Sequence, residues 1–386
     1  HEVISKYITN ENLVSVLQMG IRDSDASVRS MAVKAAADVI TSLIGDATIS
    51  QLSSLIPDLL QVLSFAISSY DAELAVRIFG LFDDTTTSSE PFLQPCLREV
   101  LDACCATVNN AETLMTIRCA ACSCLSSLVG SFYMAIHEMN LTHDIICVIL
   151  AHISDDASPS GDDESGSLCK MCEVALDTVS SHFAPKDVVS TVVGVVGPLC
   201  TSANWLERRT AAVSLFILVE SCVDAIAPMA GELGVALRPL LHDACVAVSR
   251  AAAFFFSELC EYLEETALEE CPWLIGDLNN MIVSNDWNSV ENGLTVLESA
   301  ALVYGEQDPN GLLTIVPTLL YLIKTEGVPM TIRMMSVSCM TCVVMCSDEL
   351  FIPYATEAVG ICCEVLQTRD PELLTMRSRA LELVGK

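Results

Sequence analysis

The 386-residue sequence predicts an all-α chain built from tandem two-helix repeats. Three observations carry that prediction. Hydrophobic residues make up 52% while aromatics are only 5%, a mixture suited to many small helix–helix contacts rather than to a β core. A unit of apolar residue, base and small apolar run recurs as SVRSMAVKAA, AVRIFGLFDD, TIRCAACSCL and TIRMMSVSCM. Weaker copies fill the intervals, so the pattern runs the length of the chain.

The apolar anchors Val28, Val76, Ile117 and Ile332 and the weaker copies at Cys169, Glu207, Val248, Val290 and Met376 each mark a helix B. Successive spacings are 48, 41, 52, 38, 41, 42, 42 and 44 residues. A helix A precedes helix B and is plainest at IPDLLQVL from Ile56 and VPTLLYLI from Val316. There a proline occupies the first helical turn, where its missing N–H costs nothing. A period near 42 with two helices per unit is HEAT-like, and neither helix can bury its apolar stripe without the next repeat. Residues 1–386 therefore read as a single right-handed superhelical HEAT solenoid of about nine helix pairs.

Seven copies carry a base after the anchor: Arg29, Arg77, Arg118, Lys170, Arg208, Arg333 and Arg377. Acids stand just upstream in several turns, as at Asp25, Asp71, Glu112 and Glu372. Paired, they predict a ladder of ions between stacked B helices, interrupted where Ser249 and Glu291 replace the base.

The 52-residue interval exceeds the period by about the length of Ser154–Ser167, SDDASPSGDDESGS. That stretch reads as a flexible loop, 154–167, inserted between the A and B helices of the fourth repeat. Its acids, Asp155, Asp156, Asp162, Asp163 and Glu164, are expected to meet a basic ligand beside the concave B-helix face.

Charge narrows the partners. Fifty acids against 19 bases leave a net charge of −31, which argues against nucleic acid and anionic membranes and favours basic proteins. No eighteen-residue window is apolar and uncharged, so no membrane span is expected. His1 opens the chain without a basic, apolar leader, as in an excised fragment.

The 19 cysteines read as small buried hydrophobes kept reduced in cytosol or nucleus. The pairs Cys119/Cys122, Cys169/Cys172 and Cys339/Cys342 sit at i, i+3 in predicted B helices, facing the core rather than a zinc ion. No metal site, cofactor, nucleophile motif or phosphate loop is expected, and the chain reads as a binding protein rather than an enzyme.

Cargo contacts are expected along the B helices. Asp83, Asp84, Glu220, Glu258, Glu261 and Glu298 fall toward helix C-termini, where a carboxylate opposes the macrodipole and so calls for another reason. Trp205 and Trp287 open two B helices and offer slots for lysine stems, and Asn292 completes the set.

The tandem pairs, the segment NWLERRTAAVSLFILVESC (Asn204 to Cys222) and an acidic insertion one repeat before it resemble the importin-β (karyopherin-β) superfamily. IPDLLQVL, AVRIFGLFDD and the following EPFLQP look most like its importin-4 branch, with importin-5 close. The resemblance implies a monomeric receptor that shuttles between cytoplasm and nucleus past FG-nucleoporins. It implies basic cargo, namely nuclear localisation signals, ribosomal proteins or histones, released by Ran-GTP. In such receptors the acidic loop is associated with cargo and Ran binding, although five acids make this loop modest. The alternative is a HEAT scaffold subunit without a transport role, which has no need of an acidic insertion.

Overall fold

The computed structural model describes residues 12–88, 91–162, 166–305, 307–367 and 374–386. Among these residues the regular structure is helical, and the helices alternate as nine A/B pairs. They are α1 (Asn12–Ile21) with α2 (Ala26–Ser42), α3 (Ile56–Ser68) with α4 (Ala72–Thr85), and α5 (Leu97–Asn109) with α6 (Met115–Glu138). Then come α7 (Thr142–His152) with α8 (Leu168–His182), and α9 (Pro185–Val196) with α10 (Trp205–Ser221). Helix A is split in the next three: α11 (Val223–Ile226) and α12 (Ala230–Leu237) precede α13 (Val246–Tyr262), and α14 (Glu264–Glu270) and α15 (Leu274–Ile282) precede α16 (Trp287–Gly305). α17 (Pro309–Leu313) and α18 (Val316–Lys324) precede α19 (Met330–Ser347), and α20 (Ile352–Gln367) pairs with α21 (Leu374–Val384).

The chain forms two compact units, His1–Ala157 with Asp163–Thr191, and Ser158–Asp162 with Val192–Lys386. In the first, B helices α2, α4, α6 and α8 pack in chain order. In the second, α10, α13, α16, α19 and α21 do the same. Anchors Ile117, Cys169, Val248, Val290 and Met376 are fully buried between neighbours. Val28 and Val76 are exposed instead, which corrects the register of the first two copies. There the buried stripe is carried by Val33, Ala36 and Ile40, and by Ala75, Ile78 and Phe82, at the helical spacing that faces the next helix. The helices α6 and α19 are long and apolar enough to cross a bilayer, but 44% and 50% of their apolar windows are buried inside the stack.

Of the acids upstream of the B helices, Asp25 and Asp71 cap rather than pair, and Glu372 lies outside the described residues. Asp25 accepts hydrogen bonds from the Ser27 and Val28 amides, and Asp71 accepts one from Leu74, satisfying donors the helix itself cannot. For Arg29, Arg118 and Arg208 the partner lies about one repeat further on, a correction to the expected pairing, whereas Arg77 pairs with Glu73 and Lys170 with Glu173 on their own helices and Arg333 donates to the Ile323 carbonyl. Arg208 donates twice to Asp243, at 2.6 and 2.9 Å, and braces its own turn through the Ser202 and Ala203 carbonyls. Arg29 braces its turn identically, through Asp23 and Ser24, yet its guanidinium lies 4.6 Å over the Phe65 ring. Arg118 reaches Asp155 at 2.7 Å. Because a HEAT turn returns each helix B beside its successor, position i+35 to i+37 is the nearest place for a counter-charge or ring.

A second ladder, not foreseen, joins successive A helices: Arg22 to Asp58, Arg238 to Asp277, and Lys324 to Glu357. Asp58 is buried beneath Arg22, and Arg238 also lies 4.3 Å over the Trp273 ring. These bases are thus structural, and each holds its neighbour in register.

Candidate functional site

The inserted loop is anchored rather than free. Asp155 accepts from Arg118 and meets His152 Nδ1 at 2.8 Å. Asp156 accepts from the Leu168 and Cys169 amides, both at 2.8 Å, and so caps α8. Asp162 pairs with Arg250 at 3.2 Å. Three of the loop's acids are thus each held by a donor that the turn or later repeats supply, Asp162 while remaining exposed. Asp163 and Glu164 lie outside the described residues.

The second unit gathers the strongest candidate site. α10 and α13 run side by side, and Phe216 and Phe254 meet across them with ring centroids 5.6 Å apart. Four residues beyond each ring, one turn along the same face, stand Glu220 and Glu258. Glu261 and Tyr262 complete the final turn of α13, and Glu220 acts on the Tyr262 hydroxyl from α10. Burial raises the Glu258 carboxyl above the ordinary glutamate value, and the charges of Glu261 and Glu220 push the same way. Glu220, acting on the hydroxyl, leads in raising Tyr262, followed by burial and the charges of Glu220, Glu258 and Glu261.

Three carboxylates crowding one another repel, and guanidiniums elsewhere in these repeats are paired with other acids: Arg208 with Asp243, Arg238 with Asp277 and Arg250 with Asp162. Among the described residues no cation is paired with the cluster. An ammonium or guanidinium would relieve the repulsion, and the Phe216–Phe254 pair would cover its aliphatic stem or offer a ring face. Sequence reasoning named Glu220, Glu258 and Glu261, which the fold brings together, and did not name Phe216, Phe254 and Tyr262. Their i, i+4 relation to Glu220 and Glu258 was the available signal.

The other candidates fall differently. Glu298 stands on α16, where its charge bears on the Cys339 and Cys342 thiols of α19. Asn292 is buried and donates to Ser249 Oγ at 3.0 Å, so it holds α16 to α13 and cannot meet a ligand. Trp287 lines a cavity of about 390 Å³ with Val283, Pro317 and Tyr321, between A helices α15 and α18 and away from the carboxylates. Trp205 is half-buried at the start of α10. Asp83 and Asp84 end α4 in the first unit, Asp83 close enough to raise the Cys104 thiol further. Among the described residues no cluster of histidines, cysteines and acids has the arrangement of a metal site.

The fold is a HEAT-repeat solenoid, similar to that of solved karyopherins. Residues 5–103 match the family model described as IPO5-like, TPR repeats. The whole chain superposes on Kap121p bound to the SUMO protease Ulp1p with a TM-score of 0.83 at 15% identity, over 97% of this chain and 37% of that one. Kap121p bound to Pho4p gives 0.81 at 16% identity, over 98% and 39%. Kap121p bound to RanGTP gives 0.80 at 15% identity, over 98% and 38%. The chain thus spans about two fifths of the length of those karyopherins. A search of the curated proteins by sequence finds no match.

Proposed function

We propose that residues 1–386 form one continuous HEAT segment of an importin-β-like nuclear transport receptor. It binds lysine- and arginine-rich cargo segments on the carboxylate face of its B helices. The observation that carries this reading is the crowding of Glu220, Glu258 and Glu261 beside an aromatic pair, without a counter-ion among the described residues, in a chain of net charge −31. Such a face is unfavourable until a cationic partner occupies it, and the long-range negative field draws basic proteins toward it.

The fold shared with Kap121p in its complexes with Pho4p, Ulp1p and RanGTP supports extending the reading to a full-length receptor. In that receptor basic cargo such as nuclear localisation signals, ribosomal proteins or histones is held, and Ran-GTP releases it. FG-nucleoporin contact and shuttling between cytoplasm and nucleus follow from the same reading, as does binding without chemistry.

The test is a pull-down of basic proteins from lysate on the full-length protein, with and without Ran locked in its GTP state. Recovery of basic proteins that Ran-GTP abolishes supports the receptor. Recovery of acidic or neutral partners unaffected by Ran-GTP supports a scaffold instead.

A further inference from the structure

Helix α13 begins without a cap of its own, because Cys245 makes no side-chain hydrogen bond to its first turn. The Ala247 amide is instead satisfied from the inserted loop, by the Pro159 carbonyl at 3.1 Å, and Cys245 Sγ donates to the same oxygen at 3.6 Å. Two residues on, Gly161 crosses the helix at φ 75°, where a Cβ would stand 3.0 Å from Arg250 Nη1 and 3.4 Å from Ala247 Cα. Only glycine suits both the backbone angle and the close approach. The crossing delivers Asp162 to Arg250.

Arg250 is a singular residue on this face. Among the bases of α10, α13 and α16, Arg208 is committed to Asp243 and Arg209 is buried, and α16 has none. Arg250, Phe254, Glu258 and Glu261 follow at i, i+4, i+8 and i+11, on one side of α13. Arg250 stands about 12 Å along the helix from Glu258 at 1.5 Å per residue, close to one Debye length at 0.1 M salt. Uncovered, it would repel any cation seated at Glu258.

Resting on the basic-ligand reading above, we infer that the inserted loop is a charge mask: docked on the first turn of α13, it sets Asp162 on Arg250 and makes this face selective for cationic segments. The loop then serves cargo binding by cancelling the base that α13 presents beside the carboxylates. Asp162 and Gly161 are positioning residues, and Arg250 is the specificity determinant they control.

The experiment measures binding of a fluorescein-labelled octalysine peptide by anisotropy at 0.05 M salt, together with hydrogen exchange at the Ala247 amide. Gly161→Val, which undocks the loop, should weaken octalysine about fivefold and expose Ala247 to exchange. Asp162→Asn should weaken it by a smaller factor while leaving Ala247 protected. In an Arg250→Gln background both substitutions should change affinity less than about twofold, because no base remains to unmask. Equal losses in both backgrounds, or an unprotected Ala247 amide in the unmodified protein, overturn the mask while leaving the basic-ligand reading standing. Failure of the unmodified protein to bind octalysine overturns both.

Discussion

Arg118 Nη2 lies 2.7 Å from Asp155 Oδ2, and this pair ties three successive helices to the base of the inserted loop. The guanidinium is buried, with its Nε donating to the Val108 carbonyl of α5 at 2.9 Å. His152 of α7 joins it, 3.0 Å from Arg118 Nη2 and 2.9 Å from Asn109 Oδ1. Removing one partner of a buried pair leaves the other charge uncompensated. Asp155→Ala should cost about 3 kcal/mol, read as an earlier urea transition and faster amide exchange across α6 to α8. Asp162→Ala, at an exposed pair, should cost less than about 1 kcal/mol. Similar small losses from both would mean that Arg118 finds another partner.

Charge reversal separates a local site from a general field. Glu220, Glu258, Glu261 and Glu298 changed together to lysine should abolish octalysine binding at low salt. Reversing Glu99, Asp187, Glu232 and Glu269, exposed acids that lie off the B helices, should cost far less. Asp58, Asp277 and Glu357 do not serve as controls, since each is the carboxylate of a structural pair. Anisotropy titrations from 0.05 to 0.5 M salt decide it, and equal losses from the two sets would leave only non-specific attraction.

Binding should also weaken on acidification. The Glu258 carboxyl sits above the ordinary value of 4.5 through burial first and then Glu261 and Glu220, so the folded protein holds that proton more tightly than the unfolded chain. The stability this contributes is present at low pH and is lost as pH rises through the raised value. A bound ammonium reverses the balance by favouring the ionised form. Octalysine affinity should therefore fall as pH descends from 7 toward 5, and Glu258→Gln should flatten that dependence while raising thermal stability at pH 7. An unchanged pH slope in the variant would exclude Glu258 as the group responsible.

The cysteines should be chemically quiet. Burial pushes the Cys105 and Cys260 thiols up to about 12, and Cys222, Cys271 and Cys342 up to about 11. Thiolate is the reactive form, so burial and a raised value act together to suppress alkylation. Iodoacetamide at pH 8 should label the exposed Cys363 first and the buried thiols only after denaturation, as read by peptide mass spectrometry. Rapid native labelling of Cys260 or Cys172 would show that the helices open far more readily than their burial implies.

Period, polarity and charge were legible before any coordinates. An apolar stripe recurring near every 42 residues can be buried only by stacking copies, so IPDLLQVL and TIRMMSVSCM foretold helices A and B at Ile56 and Met330. The carboxylates of α10 and α13 were legible for a similar reason, since acids at a helix C-terminus run against the macrodipole and need another purpose. The ion pairs were misassigned because local sequence shows a base and the acid nearest in the chain. Asp25 and Asp71 are held by their own helix amides, which are closer than any arginine of the next repeat.

The sequence by itself determined that this chain is a repeating helical stack, rich in buried thiols and strongly negative, because periodicity and composition act locally and add along the chain. Tertiary structure alone decided which charges remain available. Arg208 meets Asp243, 35 residues on, Asn292 disappears against Ser249, and the loop carries Asp162 to Arg250 across 88 residues. Pairing at such separations depends on how neighbouring repeats turn and where an insertion folds back. These are consequences of three-dimensional packing that no single stretch of sequence contains. They leave Glu220, Glu258 and Glu261 crowded together, with no counter-charge among the described residues, beside the rings of Phe216 and Phe254.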